Sequence, residues 1–430
     1  MKKILKPYTL AAFVLLLCLT ALAAPSGKTS PELPSQEQQV KENEADAYSS
    51  ISLFMNVMQL LRQNYVDPEK VTYKKLMEGA MKGMLRELDP FSAYETPENY
   101  QATIEGTQGS FGGLGIVVTN KNNALEVVST MEGSPGFKSG IHSGDIITEI
   151  NGDPVKTLEL GSCVKKLKGA PGTKVSVTIY RRSDDSSKTF DIERAEIKVP
   201  AVNGTNLVAE KIGYIRLTQF SAPVAQELDK AIEKLKEQHI KGLVLDLRNN
   251  PGGLLSSAIE SASRFIPDNQ VIVSTQGRNK DDRQEFKSIP CEKLTDVPMA
   301  VLVNENSASA SEILAGCLKD HKRAVIIGER TFGKAFIQSI VPLSDKGAVR
   351  FTTGKYYTPS GQLIHGEGIK PDIEIIISPE TEMKLSRQRS THPGIIKPEG
   401  KGTIKDVQLE RAVEILKGIS VFSDLGDHES

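Results

Sequence analysis

Cysteine is sparse in this sequence of 430 residues, and the net charge is close to zero. Beyond the N-terminal apolar segment the sequence has Cys163, Cys291 and Cys317, an odd and sparse set that makes a poor disulfide framework. No cysteine or histidine pair has metal-ligand spacing, so no metal and no cofactor is expected. The formal net charge of -1, with acidic and basic residues interspersed, gives no electrostatic reason to bind nucleic acid or an anionic membrane.

Sustained low-complexity tracts are also missing, and 39% of the residues are apolar, so most of the chain should fold. A length of 430 residues is too great for one ordinary hydrophobic core. It predicts about two to four structural units. We place the boundaries of these units where the composition and the hydrophobic periodicity of the sequence change.

The N-terminus has the three-part layout of a secretory signal peptide. Lysines precede an apolar segment at residues 8–19, and Ala21 and Ala23 follow in an A-x-A arrangement. The apolar segment is short for a membrane span, which needs about 20 residues, so cleavage after Ala23 is favoured over a retained membrane anchor. We therefore predict a signal peptide at residues 1–23 and a flexible linker at residues 24–44, which are polar and lack periodicity.

Two amphipathic helical patterns characterise residues 45–105. "ISLFMNVMQLLRQNYVDP" and "YKKLMEGAMKGMLRELDP" each repeat apolar residues at helical spacing and stop at Asp-Pro. Their apolar faces either pack inside the subunit or form a dimerisation surface, since small helical units often need a partner to bury such a stripe. The two faces comprise Phe54, Met58, Leu61, Leu76, Met81 and Leu85.

The predicted secondary structure changes twice more along the chain. Residues 106–197 contain short β-rich runs with glycine punctuation, such as "GGLGIVV" and "TKVSVTIYRR", which predict a small strand-dominated domain. Residues 198–379 alternate strands and helices, and such units predict a largely parallel sheet covered by helices. Residues 380–430 form a tail with one further helical pattern, "DVQLERAVEILKGI".

Two turns carry candidate chemistry, because sites in open α/β sheets collect where strands end. "NNPGG", residues 249–253, follows "GLVLDLR", and "NENSASASEILAG", residues 304–316, follows "MAVLVN". The glycines form either an ordinary turn or a loop whose bare amides face an oxyanion. The serines either cap the next helix or include a nucleophile, which needs a base.

Lysine is the favoured base, because the histidines lie in unsuitable places and His365 is only the least unsuitable of them. Lys334 in "GERTFGKAFIQ" follows the next strand, "RAVIIG", so neighbouring parallel strands would bring it to the edge where the serines lie. Burial against apolar groups would lower its pKa from about 10.4. Gln338 would then orient the uncharged amine by a hydrogen bond. The alternative is a solvated lysine in an ordinary loop.

"NENSASASEILAGCLKDHKRAVIIGERTFGKAFIQ" and "LDLRNNPGG" closely resemble the signature of the carboxyl-terminal processing peptidases, secreted Ser-Lys endopeptidases with a PDZ domain. The resemblance runs from about residue 45 to about residue 379. It implies a multidomain α/β fold, with a crotonase-like α/β protease core, an inserted PDZ domain and an N-terminal helical region. It also implies cleavage of partly unfolded or tail-tagged proteins through an acyl-enzyme.

Carried onto this sequence, the family's nucleophile falls on Ser309, the middle serine, and its general base on Lys334. The family's supporting glutamine falls on Gln338. Its oxyanion-hole amides fall on Ala310 and Gly253. The resemblance therefore selects one serine of three.

The β-rich segment resembles the PDZ module, which in this family recognises the C-terminal end of the substrate. Glycines let successive backbone amides converge on a carboxylate, and an adjacent strand can receive an extended peptide by edge pairing. Lys168 stands where many relatives have an arginine that relays between the domains. The carboxylate-binding residues implied are Gly112, Gly113, Leu114, Gly115 and Ile116.

The resemblance thus implies a periplasmic serine endopeptidase with protein or peptide substrates whose C-termini are accessible. A homodimer and a lipoprotein or adaptor regulator are the further partners implied. The alternative function is that of a scaffold that binds C-terminal peptides and whose protease domain is inactive. Ala335 favours this alternative, because relatives usually have glycine after the catalytic lysine, and a loop that needs positive φ there would be altered.

Overall fold

The structure, a computed structural model, describes residues 36–121, 124–391, 394 and 404–426. These residues divide into two units, with the boundary between Gly79 and Ala80. The predicted signal peptide and the first part of the predicted linker lie outside the described residues. None of the helices that the structure describes is long and apolar enough to cross a membrane.

The first unit is built from helices. Its elements are α1 (Gln36–Asn64), a 3₁₀ turn (Pro68–Lys70) and the start of α2 (Tyr73–Arg86). Since α1 begins inside the predicted flexible linker, that prediction is wrong for residues 36–44. The physical reason is that glutamine, glutamate and lysine, which make up most of this stretch, have high helix propensity, so the helix extends from the apolar stretch into the polar one.

The predicted apolar face of α1 is only partly buried. Met58 is 4% exposed, whereas Phe54 and Leu61 are 38% and 39% exposed. Leu53 and Leu60 are 65% and 62% exposed. This helix therefore keeps a substantial apolar surface in contact with solvent.

The second unit opens with two further elements of the N-terminal helical region, β1 (Ala93–Glu95) and α3 (Pro97–Gln108). Thr96 caps α3 by accepting a hydrogen bond from the amide of Asn99. β1 pairs antiparallel with a strand far along the chain, and Tyr94 lies opposite Val349. A strand of three residues is too short for sequence periodicity to reveal.

A β-rich domain with its own core follows. Its main sheet has the order β3, β4, β5, β7, β8, with β6 paired to β5, while β2 pairs with β9. Buried Val175, Val177 and Ile179 alternate along β7 with more exposed residues, the period of a strand with one face in a core. The elements are β2 (Ser110–Gly113), β3 (Ile116–Lys121), β4 (Ala124–Thr130), α4 (Pro135–Lys138), β5 (Ile146–Ile150), β6 (Asp153–Pro154), α5 (Leu160–Leu167), β7 (Lys174–Arg181), β8 (Ser186–Glu193) and β9 (Ala195–Lys198).

The α/β core is organised around a six-stranded sheet of order β10, β11, β12, β15, β16, β19. Its pairs are parallel except for the edge strand β10. A second sheet has the order β1, β18, β13, β14, with β17 paired to β18. The strands are β10 (Val202–Ala209), β11 (Ile212–Leu217), β12 (Gly242–Asp246), β13 (Val271–Gln276), β14 (Gln284–Lys287), β15 (Met299–Val303), β16 (Ala324–Gly328), β17 (Phe336–Pro342), β18 (Ala348–Tyr357) and β19 (Ile373–Glu374).

Helices cover both faces of the central sheet, which explains why its strands read as continuous apolar runs. In β12, Leu243 and Leu245 belong to the core shared with α6, α7 and α8, while Val244 belongs to the core beneath α10. Successive side chains of a strand point to opposite faces, so both sets are buried. The helices are α6 (Val224–Lys236), α7 (Leu255–Ser263), α8 (Ala310–Asp320), α9 (Pro379–Thr391) and α10 (Val407–Gly426).

The predicted C-terminal tail is a structural part of this core. Leu409, Val413 and Leu416 of α10 are buried against the sheet, and fully burying each such side chain is worth about 1.5–3 kcal/mol. Arg248, fully buried, donates to Asp246 Oδ2 at 2.7 Å and to Asp406 Oδ1 at 2.8 Å. An unpaired buried guanidinium would be very costly, so the tail neutralises a charge next to the "NNPGG" turn.

Candidate active site

The serine motif forms a tight turn between β15 and α8. Ser309, which directly precedes α8, has a φ of 55° and a ψ of -115°. A non-glycine residue rarely adopts such a backbone, which costs of order 1–3 kcal/mol and collects at functional sites. Of the three alternating serines, all within the described residues, Ser309 alone has a positive φ.

The side chain that holds this strained backbone is Glu312, in the first turn of α8. Its Oε2 accepts hydrogen bonds from the amides of Ser309 (2.8 Å) and Lys334 (2.9 Å). Its Oε1 accepts from the hydroxyl of Thr331 (2.6 Å) and the amide of Gly333 (2.7 Å). Burial raises the pKa of the Glu312 carboxyl, and the four hydrogen bonds oppose this by favouring the charged form. One buried side chain thus ties the serine turn to the lysine loop.

The lysine loop brings the Lys334 amine to Gln338. The amine donates to Oε1 of Gln338 at 3.1 Å. Nε2 of Gln338 donates to the carbonyl oxygen of Phe91 at 2.7 Å. Because a carbonyl oxygen only accepts, this second bond fixes the amide orientation and turns Oε1 towards the lysine.

The environment of Lys334 favours its uncharged form. Burial lowers the pKa of the amine, the positive charge of Arg350 lowers it further, and Asp89 opposes both effects. At neutral pH a larger fraction of this amine is therefore uncharged than of a solvated lysine.

One cavity of about 290 Å³ brings together the five residues predicted for the protease site. Ser309, Lys334, Gln338, Ala310 and Gly253 all line it. Apolar side chains provide much of the remaining wall, as in sites that enclose a substrate. The other lining residues include Thr103, Thr107, Ile313, Phe336, Arg350 and Tyr356.

The two amides predicted for an oxyanion hole lie at turns that leave them outside regular pairing. Phe220 donates to the carbonyl of Gly252 (2.9 Å) and accepts from the amide of Leu254 (2.8 Å), so the intervening Gly253 amide takes no part in this bridge. Gly253 has a φ of 150°, and a Cβ there would lie 2.3 Å from the Phe220 carbonyl oxygen, so only glycine fits. Ala310 is the first residue of α8, where the helix offers its amide no acceptor.

The flanking serines connect the two strand-end turns. The Ser307 hydroxyl donates to the carbonyl of Leu247 at 2.8 Å, and the Ser311 hydroxyl donates to the carbonyl of Asn250 at 2.8 Å. Both serines are fully buried. They therefore hold the "NNPGG" turn against the turn that carries Ser309.

Two sequence alternatives can be compared with this geometry. The His365 ring lies 3.9 Å from the Phe336 ring, centroid to centroid, and His365 is not among the residues that line the cavity. In the lysine loop, whose residues are all described, positive φ occurs at Gly333 (86°) and not at Ala335. Alanine after the lysine is therefore accommodated without the backbone strain that would favour an inactive protease domain.

The residues predicted to bind a carboxylate lie in the β-rich domain, apart from this cavity. Residues 112–116 span the end of β2, a turn and the first residue of β3. In the described part of its sheet, β3 is an edge strand, paired with β4. A cavity of about 240 Å³ lies beside it, lined by Asn120 of β3 and by Leu160 and Cys163 of α5.

Lys168 of the β-rich domain contacts α3, the helix that also lines the active-site cavity. Its amine lies 3.7 Å from Oε2 of Glu105 in α3 and 4.3 Å from the centroid of the Phe111 ring. Thr103 and Thr107 of the same helix line the catalytic cavity. α3 therefore contacts the β-rich domain through Glu98 and Glu105 and the cavity through Thr103 and Thr107.

Sequence reasoning missed several residues that shape the cavity. It gave Glu312 no role in the site and did not single out Phe91, Arg350 or Tyr356. The Tyr356 hydroxyl donates to the carbonyl oxygens of Ser309, at 3.1 Å, and of Lys334. Only Glu312 gave a usable signal, since an acidic residue enclosed by an apolar helix pattern needs buried donors.

Three parts of the chain match known families. Residues 211–375 match peptidase family S41, and residues 112–193 match the PDZ domain. Residues 17–98 match the N-terminal domain described for the activating protease CtpB.

Individual relatives agree with these family matches. A carboxy-terminal-processing protease of Bartonella bacilliformis is 42% identical over 338 residues, covering 77% of this chain and 76% of the relative. A CtpA-like serine protease of Staphylococcus aureus, described as probable, is 36% identical over 328 residues, covering 76% of this chain and 65% of the relative. A solved structure of a Bacteroides fragilis protein assigned to the S41 proteases is 18% identical, covers 84% of this chain and 97% of that chain, and has a TM-score of 0.50, a likeness of fold.

The four hydrogen bonds to Glu312 predict a local loss of protection when that carboxylate is removed. In Glu312→Gln, an NH₂ group faces two of the four donors, and a buried donor without an acceptor costs about 1–3 kcal/mol. Hydrogen exchange of the amides of Ser309, Gly333 and Lys334 should therefore speed up roughly 5- to 150-fold. The matched control is Glu237→Gln, an exposed glutamate, and unchanged exchange in Glu312→Gln would contradict the assigned contacts.

Proposed function

The chain belongs to peptidase family S41, and from that premise we propose that it is a secreted endopeptidase in which Ser309 is the nucleophile and Lys334 the general base. The observation that carries this proposal is the cavity that both residues line, in which the Lys334 amine is half-buried and held by Gln338. At the level of the family, the chain is a carboxy-terminal-processing serine protease with a PDZ domain.

The proposed first step is acylation. The uncharged Lys334 amine donates one hydrogen to Gln338, which leaves its lone pair available for the Ser309 proton. The Ser309 oxygen then bonds to the carbonyl carbon of the substrate, and the resulting oxyanion accepts hydrogen bonds from the amides of Gly253 and Ala310. As the C–N bond breaks, Lys334 returns the proton to the leaving amine.

Deacylation repeats these roles with water as the nucleophile. Lys334 takes a proton from the water, the hydroxide oxygen attacks the acyl carbon, and the Ser309 oxygen leaves with the proton that Lys334 returns. The rigid support of both loops by Glu312 suits this exchange, since neither the nucleophile nor the base has to be repositioned between steps.

The proposed pair of Ser309 and Lys334 predicts the kcat of two variants and the pH dependence of the rate. Ser309→Ala and Lys334→Ala should each lower kcat for cleavage of an unfolded protein by on the order of 10³-fold or more. Because the pKa of Lys334 is lowered, the rate should rise with pH along a limb whose midpoint lies below about 10.4. Lys322→Ala, an exposed lysine, serves as the control, and undiminished cleavage by either dyad variant would refute the proposal.

We also propose that the PDZ domain binds the free C-terminus of the substrate. The support is the glycine-rich turn before β3, whose backbone amides can converge on a carboxylate, and the unpaired edge of β3 beside the cavity of α5. An extended peptide added at this edge would lie along α5 with its carboxylate at the turn of residues 112–116, which the end of α5 approaches where the amide of Gly169 donates to the carbonyl of Gly112.

This mode of recognition predicts a requirement for the terminal carboxylate. A peptide with a free C-terminus should bind the full chain at least about tenfold more tightly than the same peptide with a C-terminal amide, because amidation removes the charge that the amides stabilise. Isothermal titration to the Ser309→Ala protein would measure this without turnover. Equal affinity for the acid and the amide would exclude carboxylate recognition.

The N-terminal region carries two further proposals, export to the periplasm with cleavage after Ala23 and formation of a homodimer through the exposed apolar side chains of α1. Protein recovered from the periplasm should begin at Ala24, and its sedimentation should show a dimer. A chain that retains Met1, or a monomer at every concentration, would contradict the respective proposal. A lipoprotein or adaptor regulator stays a prediction.

A further inference from the structure

The stretch "DPFSAYE", residues 89–95, connects α2 to α3 and contains the short strand β1. We call it the 89–95 segment. It precedes Lys334 by more than two hundred positions, yet it supplies two contacts to the Lys334 and Gln338 pair. Neither the motif comparison nor the proposed mechanism gives it a role.

The first contact is made by its backbone. The carbonyl oxygen of Phe91 accepts the hydrogen bond from Gln338 Nε2 at 2.7 Å. This bond fixes which end of the amide faces the Lys334 amine, because the opposite amide orientation would turn two oxygens towards each other. The direction of the hydrogen bond between Lys334 and Gln338 therefore depends on the position of Phe91.

The second contact is made by its ring. The Phe91 ring centroid lies 4.6 Å from the Lys334 amine and 5.8 Å from the Phe336 ring, which it meets edge to face. Phe91 is not among the residues that line the catalytic cavity. Its ring is thus an apolar cover for the amine, and it acts on the site through Lys334 and Gln338.

The 89–95 segment is held in place independently of these contacts. Asp89 accepts hydrogen bonds from the amides of Phe91 and Ser92, both at 2.7 Å, and from the Ser92 hydroxyl at 2.9 Å. The amide of Thr352 donates to the Ser92 hydroxyl at 3.3 Å, and the Tyr94 hydroxyl donates to Asp345 at 2.6 Å. With the pairing of β1 and β18, these bonds fix the segment to the sheet that also carries Arg350.

We propose that the 89–95 segment completes the catalytic site, with Phe91 as a positioning residue whose carbonyl orients Gln338 and whose ring keeps water from the Lys334 amine. The inference rests on the proposed role of Lys334 as the base. It means that the serine turn and the lysine loop of the α/β core do not suffice for the site. The N-terminal region has to supply an apolar cover and a hydrogen-bond acceptor.

The Phe91 ring has two opposing effects on the pKa of Lys334, and the larger of them decides whether the pKa rises or falls. A cation held over an aromatic face is attracted by the ring, which raises the pKa of the amine by roughly 0.4–1.5 units. Loss of water from the amine disfavours the ammonium form, by several pKa units for a fully buried group. Desolvation therefore has the larger range, and burial is the largest cause of the lowered pKa of Lys334. The other polar or ionisable groups around the lysine loop are Asp89, Glu312, Arg350, Tyr356 and, behind Phe336, His365.

The test is the pH profile of kcat/KM in Phe91→Ala, measured on an unfolded protein with the full chain. Loss of the ring admits water, so the acid limb should move to higher pH by about one unit, and kcat/KM at pH 7 should fall about tenfold. Activity should recover as the pH is raised. Phe91→Leu keeps an apolar cover without a π face, so its acid limb should stay in place or move to lower pH, and should not move to higher pH.

The matched control is Phe137→Ala, which removes the same side chain from an exposed position in the β-rich domain. It should leave the acid limb in place. An unshifted acid limb in Phe91→Ala, or the same shift in Phe137→Ala, would overturn the role of Phe91. If Lys334→Ala keeps its activity, the proposed base itself is wrong, which is a different outcome. A Phe91→Ala protein that fails to fold leaves the decision to Phe91→Leu, where a move of the acid limb to higher pH by one unit or more would refute the cover.

Discussion

The catalytic arrangement depends on the burial of one carboxylate, Glu312, among four hydrogen-bond donors. An ionised group without solvent has to be satisfied by the protein, and the donors that satisfy it come from the serine turn and the lysine loop together. Neither loop can shift without leaving part of the carboxylate unpaired. The strained backbone of Ser309 persists for the same reason, since a cost of order 1–3 kcal/mol is small beside the loss of such a network.

Three further parts of the chain meet around the serine turn and the lysine loop. The "NNPGG" turn is bound to the serine turn through Ser307 and Ser311, and the 89–95 segment reaches the lysine through Phe91. α3 lines the same cavity and also touches Lys168 of the PDZ domain. The site is therefore assembled by tertiary contacts between elements that are individually short, which makes its geometry sensitive to substitutions outside the cavity.

Local sequence pattern was sufficient to predict the α/β architecture and the meeting of the two catalytic loops. Alternating strands and helices predicted the parallel sheet, and consecutive strands predicted that Ser309 and Lys334 would share its edge, as the pairing of β15 with β16 allows. The linker was partly wrong because polarity was read as disorder where helix propensity prevailed. Phe91 could not be found, because its contact with Gln338 spans 247 positions and leaves no periodic trace. The contact of Arg248 with Asp406 was hidden for the same reason.

The ion pair between Arg248 and Asp406 also has a consequence for biosynthesis. A chain leaves the ribosome from its N-terminus, so the "NNPGG" turn, Ser309 and Lys334 all emerge before the residue that neutralises Arg248, which lies 158 positions further on. Until that carboxylate arrives, the guanidinium beside the turn has only one of its two buried counter-charges. The "NNPGG" turn therefore gains its final support only after the segment that carries Asp406 has joined the fold.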